Sequence, residues 1–103
     1  MTENEFNESA DAVFTRIEQA IDAGATDIEC SLNGAVLELE FEDGSKIIIN
    51  RHTPNREIWL AAKSGGFHYA YQDGQWFSRR DGSELFGKLG DLVKLGCETT
   101  IEF

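Results

Sequence analysis

The chain opens on a helical rhythm. Phe6, Ala10, Val13, Phe14, Ile17 and Ile21 recur at steps of three and four, which puts them on one face and predicts a helix over residues 3–23. Gly24 supplies its stop. Glu8, Asp11, Thr15, Glu18 and Asp22 fall in a separate polar stripe on that helix.

The period then changes to two. Asp27, Glu29 and Ser31 alternate with Ile28, Cys30 and Leu32, and after the turn dipeptide Asn33-Gly34 the alternation resumes over residues 35–42. Asp43-Gly44 turns the chain into a β-branched strand over residues 46–51. The single proline, Pro54, falls in a loop, where no ladder bond is lost. Strands over residues 57–63, 66–71 and 75–78 follow, separated by Ser64-Gly65-Gly66 and Asp73-Gly74. Connections this short make the sheet antiparallel.

A second helical pattern carries Leu85, Phe86, Leu89, Leu92 and Val93 on one face. Asp81 with Glu84 resembles a capping box, with Ser83 an equal candidate cap, and Gly96 is the expected stop. Gly87 and Gly90 inside that helix each cost about 0.5–1 kcal/mol relative to alanine, so it should be the softer of the two. Ile101 and Phe103 are left in a tail, residues 97–103, that can pack. The expected architecture is α+β: a two-layer α/β sandwich in the order helix, five to six antiparallel strands, helix, forming one domain over residues 1–103.

Charge changes the picture. Nineteen acids against nine bases leave a net −10, which argues against a nucleic-acid ligand, because phosphates need Lys and Arg to displace their counterions. The excess is uneven: residues 1–45 hold twelve acids and one base, residues 46–103 seven acids and eight bases. An acidic lobe on a neutral body suggests a cation ligand or a basic protein partner. The helix stripe has no Lys or Arg at i±4 to relieve its repulsion, and Asp22 sits in the last turn, where the helix dipole disfavours an anion. Asp27 and Glu29 can extend the patch onto the next strand. Carboxylates on an open surface, without imidazole or thiolate, suit a weakly held hard or borderline cation for which Ca²⁺, Mn²⁺ and Co²⁺ compete.

Enzyme signatures are missing: no GxSxG, phosphate loop, GxGxxG, HExxH or EF-hand loop occurs. Cys30 and Cys97, 67 positions apart without a CxxC, form neither a zinc signature nor a disulfide scaffold. His68 reads as a strand-face residue. Trp59 lies between Ile58 and Leu60, which fill one face of their strand; it should therefore point to the other face, beside Asn50, as an interface anchor. With no apolar run near the about 20 residues of a membrane span and an acidic start unlike a signal peptide, the cytosol is the expected compartment.

The ordered segments Gly44-Ser-Lys-Ile-Ile-Ile-Asn-Arg51, Thr53-Pro-Asn55, Ile58-Trp-Leu-Ala61, Gly65-Gly-Phe-His-Tyr69 and Trp76 with Asp81-Gly82 resemble the frataxins, most closely their bacterial CyaY-type branch. Glu5-Phe6 with Ala10-Asp11, and Asp27-Ile-Glu-Cys30, fit as well. The resemblance implies a frataxin-like sandwich and weak iron binding (Fe²⁺ or Fe³⁺) on an acidic ridge, here Asp11, Glu18, Asp22, Asp27 and Glu29. It implies a role in iron–sulfur cluster assembly as a regulator of the cysteine desulfurase, whose basic surface would meet that ridge. It also implies that the scaffold protein approaches the sheet face bearing Asn50 and Trp59. A monomer is expected, open to iron-dependent oligomers. The ridge departs from the family pattern: Gln19, Ala23 and Ala25 stand where acids are frequent, and His52 and Glu57 where glutamine is common. Two other readings compete: a purely electrostatic adaptor, and an iron store or ferroxidase. The second lacks the buried carboxylate and histidine cluster that oxidation chemistry uses.

Overall fold

The computed structural model describes residues 1–24, 27–97 and 100–103. Ala25 and residues 98 and 99 of the expected tail lie outside them. Helix α1 (Glu3–Gly24) is followed by β1 (Glu29–Asn33), β2 (Val36–Glu40) and β3 (Lys46–His52). A 3₁₀ turn (Thr53–Asn55) leads to β4 (Glu57–Ala62), β5 (Gly65–Gln72), β6 (Gln75–Ser78) and α2 (Leu85–Cys97). The strands form one antiparallel meander in chain order, β1 to β6.

Register sorts the side chains into two faces. Leu37, Ile49, Leu60 and Phe67 lie in one cross-strand row and Arg51, Ile58, Tyr69 and Ser78 in another, on the face that the helices cover. There they meet Phe6, Phe14, Ile17 and Ile21 of α1 and Leu85, Leu89 and Val93 of α2, all at most 2% exposed. Trp76 closes one end, edge-on to Phe6 and Tyr71. The opposite face, with Asn50, Trp59 and His68 in one row, carries no helix. The two-layer sandwich expected from the pattern is the observed fold, with six strands. Among the described residues no helix is long and apolar enough to cross a membrane.

Local differences have local causes. Thr2 and Glu5 cap α1 reciprocally: the Glu5 N–H donates to Thr2 Oγ1 at 3.1 Å and the Thr2 N–H to Glu5 Oε1 at 2.9 Å, bonds that also lower the Glu5 pKa. The first hairpin turns on Gly34-Ala35, one residue later than the Asn33-Gly34 signal, because Asn33 still pairs with Val36. At α2 neither Asp81 nor Ser83 is the cap. Asp81 closes its own turn on Ser83, while the Glu84 carboxylate accepts from the N–H groups of Phe86 and Gly87 at 3.1 and 3.2 Å. A bridge from Phe77 to Glu84 holds that residue in the sheet and delays the helix until Leu85.

Gly96 is not a stop but lies inside the last turn of α2, pressed onto Phe41. A β-carbon there would sit 2.7 Å from Phe41 Cε2 and 2.8 Å from Cζ, against a ring only 5% exposed. Gly96→Ala is therefore expected to lower stability by about 1 kcal/mol, since overpacking costs about 1–3 kcal/mol and outweighs the roughly 1 kcal/mol of helix propensity gained. Gly87 is the opposite case: it is exposed and an added β-carbon meets nothing within 4 Å. Gly87→Ala should raise stability by about 0.5–1 kcal/mol. Urea unfolding of the two variants checks both signs; equal shifts would show that the Phe41 contact is soft.

Candidate acidic and aromatic faces

Asp11, Glu18 and Asp22 project from the polar side of α1, Asp11 and Asp22 exposed and Glu18 half-buried. Asp27, two residues before β1, and Glu29, its first residue, are also exposed. Cys30 ties the two elements together. Its side chain faces the helix layer, and burial, then Glu18, then Asp22 push the thiol from its ordinary 9.0 up to about 11. Glu18 and Asp22 thus stand beside β1 on its helix-covered side, while Glu29, next to Cys30 in the strand, alternates to the other face.

One acid departs from expectation. Asp11 is not left unrelieved, because Arg51 of β3 crosses the Phe14 ring, its guanidinium carbon 4.7 Å from the centroid, and places Nη2 2.5 Å from Asp11 Oδ1. A helix-only search at i±4 could not find a cation forty residues away. Elsewhere Lys46 joins Glu38 at 2.7 Å and Glu40 at 3.7 Å, and Lys63 lies 3.8 Å from Asp43. Among the described residues, Glu18, Asp22, Asp27 and Glu29 have no ion-pair partner.

The arrangement limits what this face can hold. Among the described residues no group of three or more His, Cys, Asp or Glu side chains is placed to bind one metal ion. A cation here would have one or two carboxylate oxygens and keep water in the rest of its shell. These donors fit a hydrated, weakly held divalent ion carried as cargo; they do not fit a closed metal centre.

The helix-free face has a second feature that the pattern reading only half found. Trp59 does point away from the core, opposite Asn50, but it is half-buried, sandwiched between two imidazoles. His52 stacks on one side at 4.0 Å and 7°, His68 on the other at 4.3 Å and 10°. Cross-strand pairing places His68 directly opposite Trp59, and His52 reaches it from the neighbouring strand, two residues beyond Asn50. The indole N–H donates to Glu57 Oε1 at 2.9 Å, and Arg79 approaches the other carboxylate oxygen at 3.8 Å. Glu57 is 6% exposed. Rotamer and height of the indole are therefore fixed by three neighbours, His52, His68 and Glu57, before any partner arrives. The sequence signal for His68 was the β4–β5 hairpin register; His52 needed the diagonal.

Comparison with known proteins places the chain in a family. The model of the frataxin-like domain matches residues 1–99. The iron–sulfur cluster assembly protein CyaY of Neisseria meningitidis serogroup B is 44% identical over 102 residues, which is 99% of this chain and 95% of that one. Among solved structures, the frataxin of Psychromonas ingrahamii superposes with a TM-score of 0.95 at 35% identity, covering 99% of this chain and 97% of that one. The trimeric frataxin of the yeast Saccharomyces cerevisiae, solved in complex with ferrous iron, gives 0.72 at 27% identity over 95% of this chain and 88% of that one. With the match running almost end to end in both sequence and fold, the chain belongs to the frataxin family.

Proposed function

We propose that this protein is an iron-binding regulator of iron–sulfur cluster assembly and not an enzyme. Glu18, Asp22, Asp27 and Glu29 hold Fe²⁺ weakly and meet the basic surface of a cysteine desulfurase, with Asp11 at the edge of the same face. The helix-free sheet face, with Asn50 and Trp59, receives the scaffold protein on which the cluster is built. The observation that carries this reading is the meeting of unpaired acids at β1: Glu18 and Asp22 of α1 stand beside Cys30, Asp27 and Glu29 precede it in the chain, and among the described residues none of the four has an ion-pair partner. The bacterial relatives' designation as cluster assembly proteins and the ferrous complex of the yeast relative support it.

An anaerobic Fe²⁺ titration of ¹⁵N-labelled protein tests it. Amides around Glu18, Asp22, Asp27 and Glu29 should broaden first and Asp11, held by Arg51, later. Addition to a reconstituted desulfurase–scaffold reaction should then change the assembly rate; no change at any iron concentration would sink the regulator role. The lack of a three-ligand group among the described residues favours a second reading, an adaptor that uses acidity for docking alone. Uniform or absent iron effects combined with salt-sensitive desulfurase binding would select it.

A further inference from the structure

The sheet ends in two edges that the chain treats differently. The outer side of β6 is partly covered: Phe77 bridges Glu84, and the Ser78 N–H donates to Ser83 O at 2.8 Å. β1 pairs with β2 along Glu29–Asn33, and among the described residues no other backbone group bonds to it. The strand also lacks the usual guards of an open edge: its sequence, ECSLN, has no proline and no lysine, and its pairing with β2 runs without a bulge. Leu32, on the helix-side face, is 51% exposed at this edge.

Charge lines the edge from both faces. Cys30 points into the helix layer with Glu18 and Asp22 beside it, whereas Glu29 alternates to the helix-free face. We propose that the outer edge of β1 docks an extended, basic segment of a protein partner, which joins the sheet as a seventh strand. This rests on the reading that the acidic face meets a basic partner, and gives that encounter a backbone register.

The occupant follows from the edge. Ladder hydrogen bonds supply sequence-independent affinity, and alternate side chains of the added strand supply selectivity. On the helix side an apolar residue would cover Leu32 and a Lys or Arg would reach Glu18 and Asp22. On the other side a Lys or Arg would face Glu29. A second copy of this chain does not fit, because pairing two β1 edges would bring their acids together. A nucleic acid is repelled outright.

The test uses two eight-residue peptides of one sequence, with Lys or Arg on both faces of the strand and one Val placed to cover Leu32. One has a free backbone; the other is N-methylated at alternate residues, keeping charge while losing ladder donors. Each is added to ¹⁵N-labelled full-length protein at low salt. The free peptide should slow hydrogen exchange at alternate amides of residues 29–33 by about ten-fold or more, and the methylated one should bind about ten-fold more weakly. Glu29→Lys should weaken the free peptide without altering the fold. Equal binding of both peptides, with shifts confined to α1 and no protection in β1, overturns the edge proposal and leaves the acidic-face reading standing. Binding by neither also overturns it, and Glu29 then only deters self-pairing; the iron titration decides the wider reading separately.

Discussion

At pH 8 Cys30 should react with iodoacetamide roughly 100-fold more slowly in the folded protein than in denaturant, because the thiolate is the nucleophile and its fraction falls with each unit of pKa. Its pKa stands at about 11 in place of 9.0, with burial the larger cause and Glu18 and Asp22 adding to it. Exchanging those two for Gln and Asn removes the charge contribution but not the burial, so the rate should recover several-fold and stop well short of the denatured value. A divalent cation seated on Glu18 and Asp22 should have the same sign of effect, which makes Cys30 alkylation a reporter of whether the acidic face is occupied. A Cys97→Ser background keeps the signal to one thiol. The pH dependence has a definite direction. A raised folded pKa means that the folded state keeps the proton longer, so above pH 9 the unfolded chain ionises first. The corresponding part of the stability is intact below that point and is lost between about pH 9 and 11; burial raises the Tyr69 pKa as well and acts in the same direction. Folded-state alkylation as fast as that of the denatured chain would show that Cys30 is neither shielded nor beside the two acids.

How much of this was legible beforehand depends on the range of the interaction. The two helices and six strands were readable because each has one buried face, and a period of 3.6 or 2 is written locally. The side of each β1 residue was readable for the same reason: the alternation puts Cys30 inward, beside Glu18 and Asp22, and Glu29 outward. What escaped was tertiary. The partner of Asp11 comes from β3, the neighbour that explains Gly96 is Phe41, and the residue that starts α2 is chosen by a bridge to Phe77. Asp81, Ser83 and Glu84 are all respectable caps, and only the strand beside them selects among the three. Trp59 lay between these cases: its direction followed from Ile58 and Leu60, but its two imidazole neighbours required the register of three strands at once.

That stack sets the terms for the second large effect. Trp59→Ala should weaken binding to the cluster scaffold by about 30-fold or more, the loss of roughly 2 kcal/mol typical of a preorganised aromatic anchor. The indole presents only its edge outward, because His52 and His68 cover its faces at 4.0 and 4.3 Å, so a partner meets a rigid ridge whose side-chain entropy is already lost. Removing the ring also takes away two stacking contacts of about 0.5–1.5 kcal/mol each, so stability should fall by about 1–3 kcal/mol. Unfolding curves must therefore accompany the binding titration to show that the variant is folded at the temperature used. Trp59→Phe separates the contributions. It keeps an aromatic ring between the imidazoles but leaves Glu57, 6% exposed, without the indole N–H that donates to it at 2.9 Å. A buried carboxylate deprived of one donor is costly, yet the outward edge survives, so Phe should lose stability while retaining most of the binding. If folded Trp59→Ala binds the scaffold as tightly as the parent chain, the helix-free face is not the scaffold surface, and the stack serves only to hold β3, β4 and β5 in register.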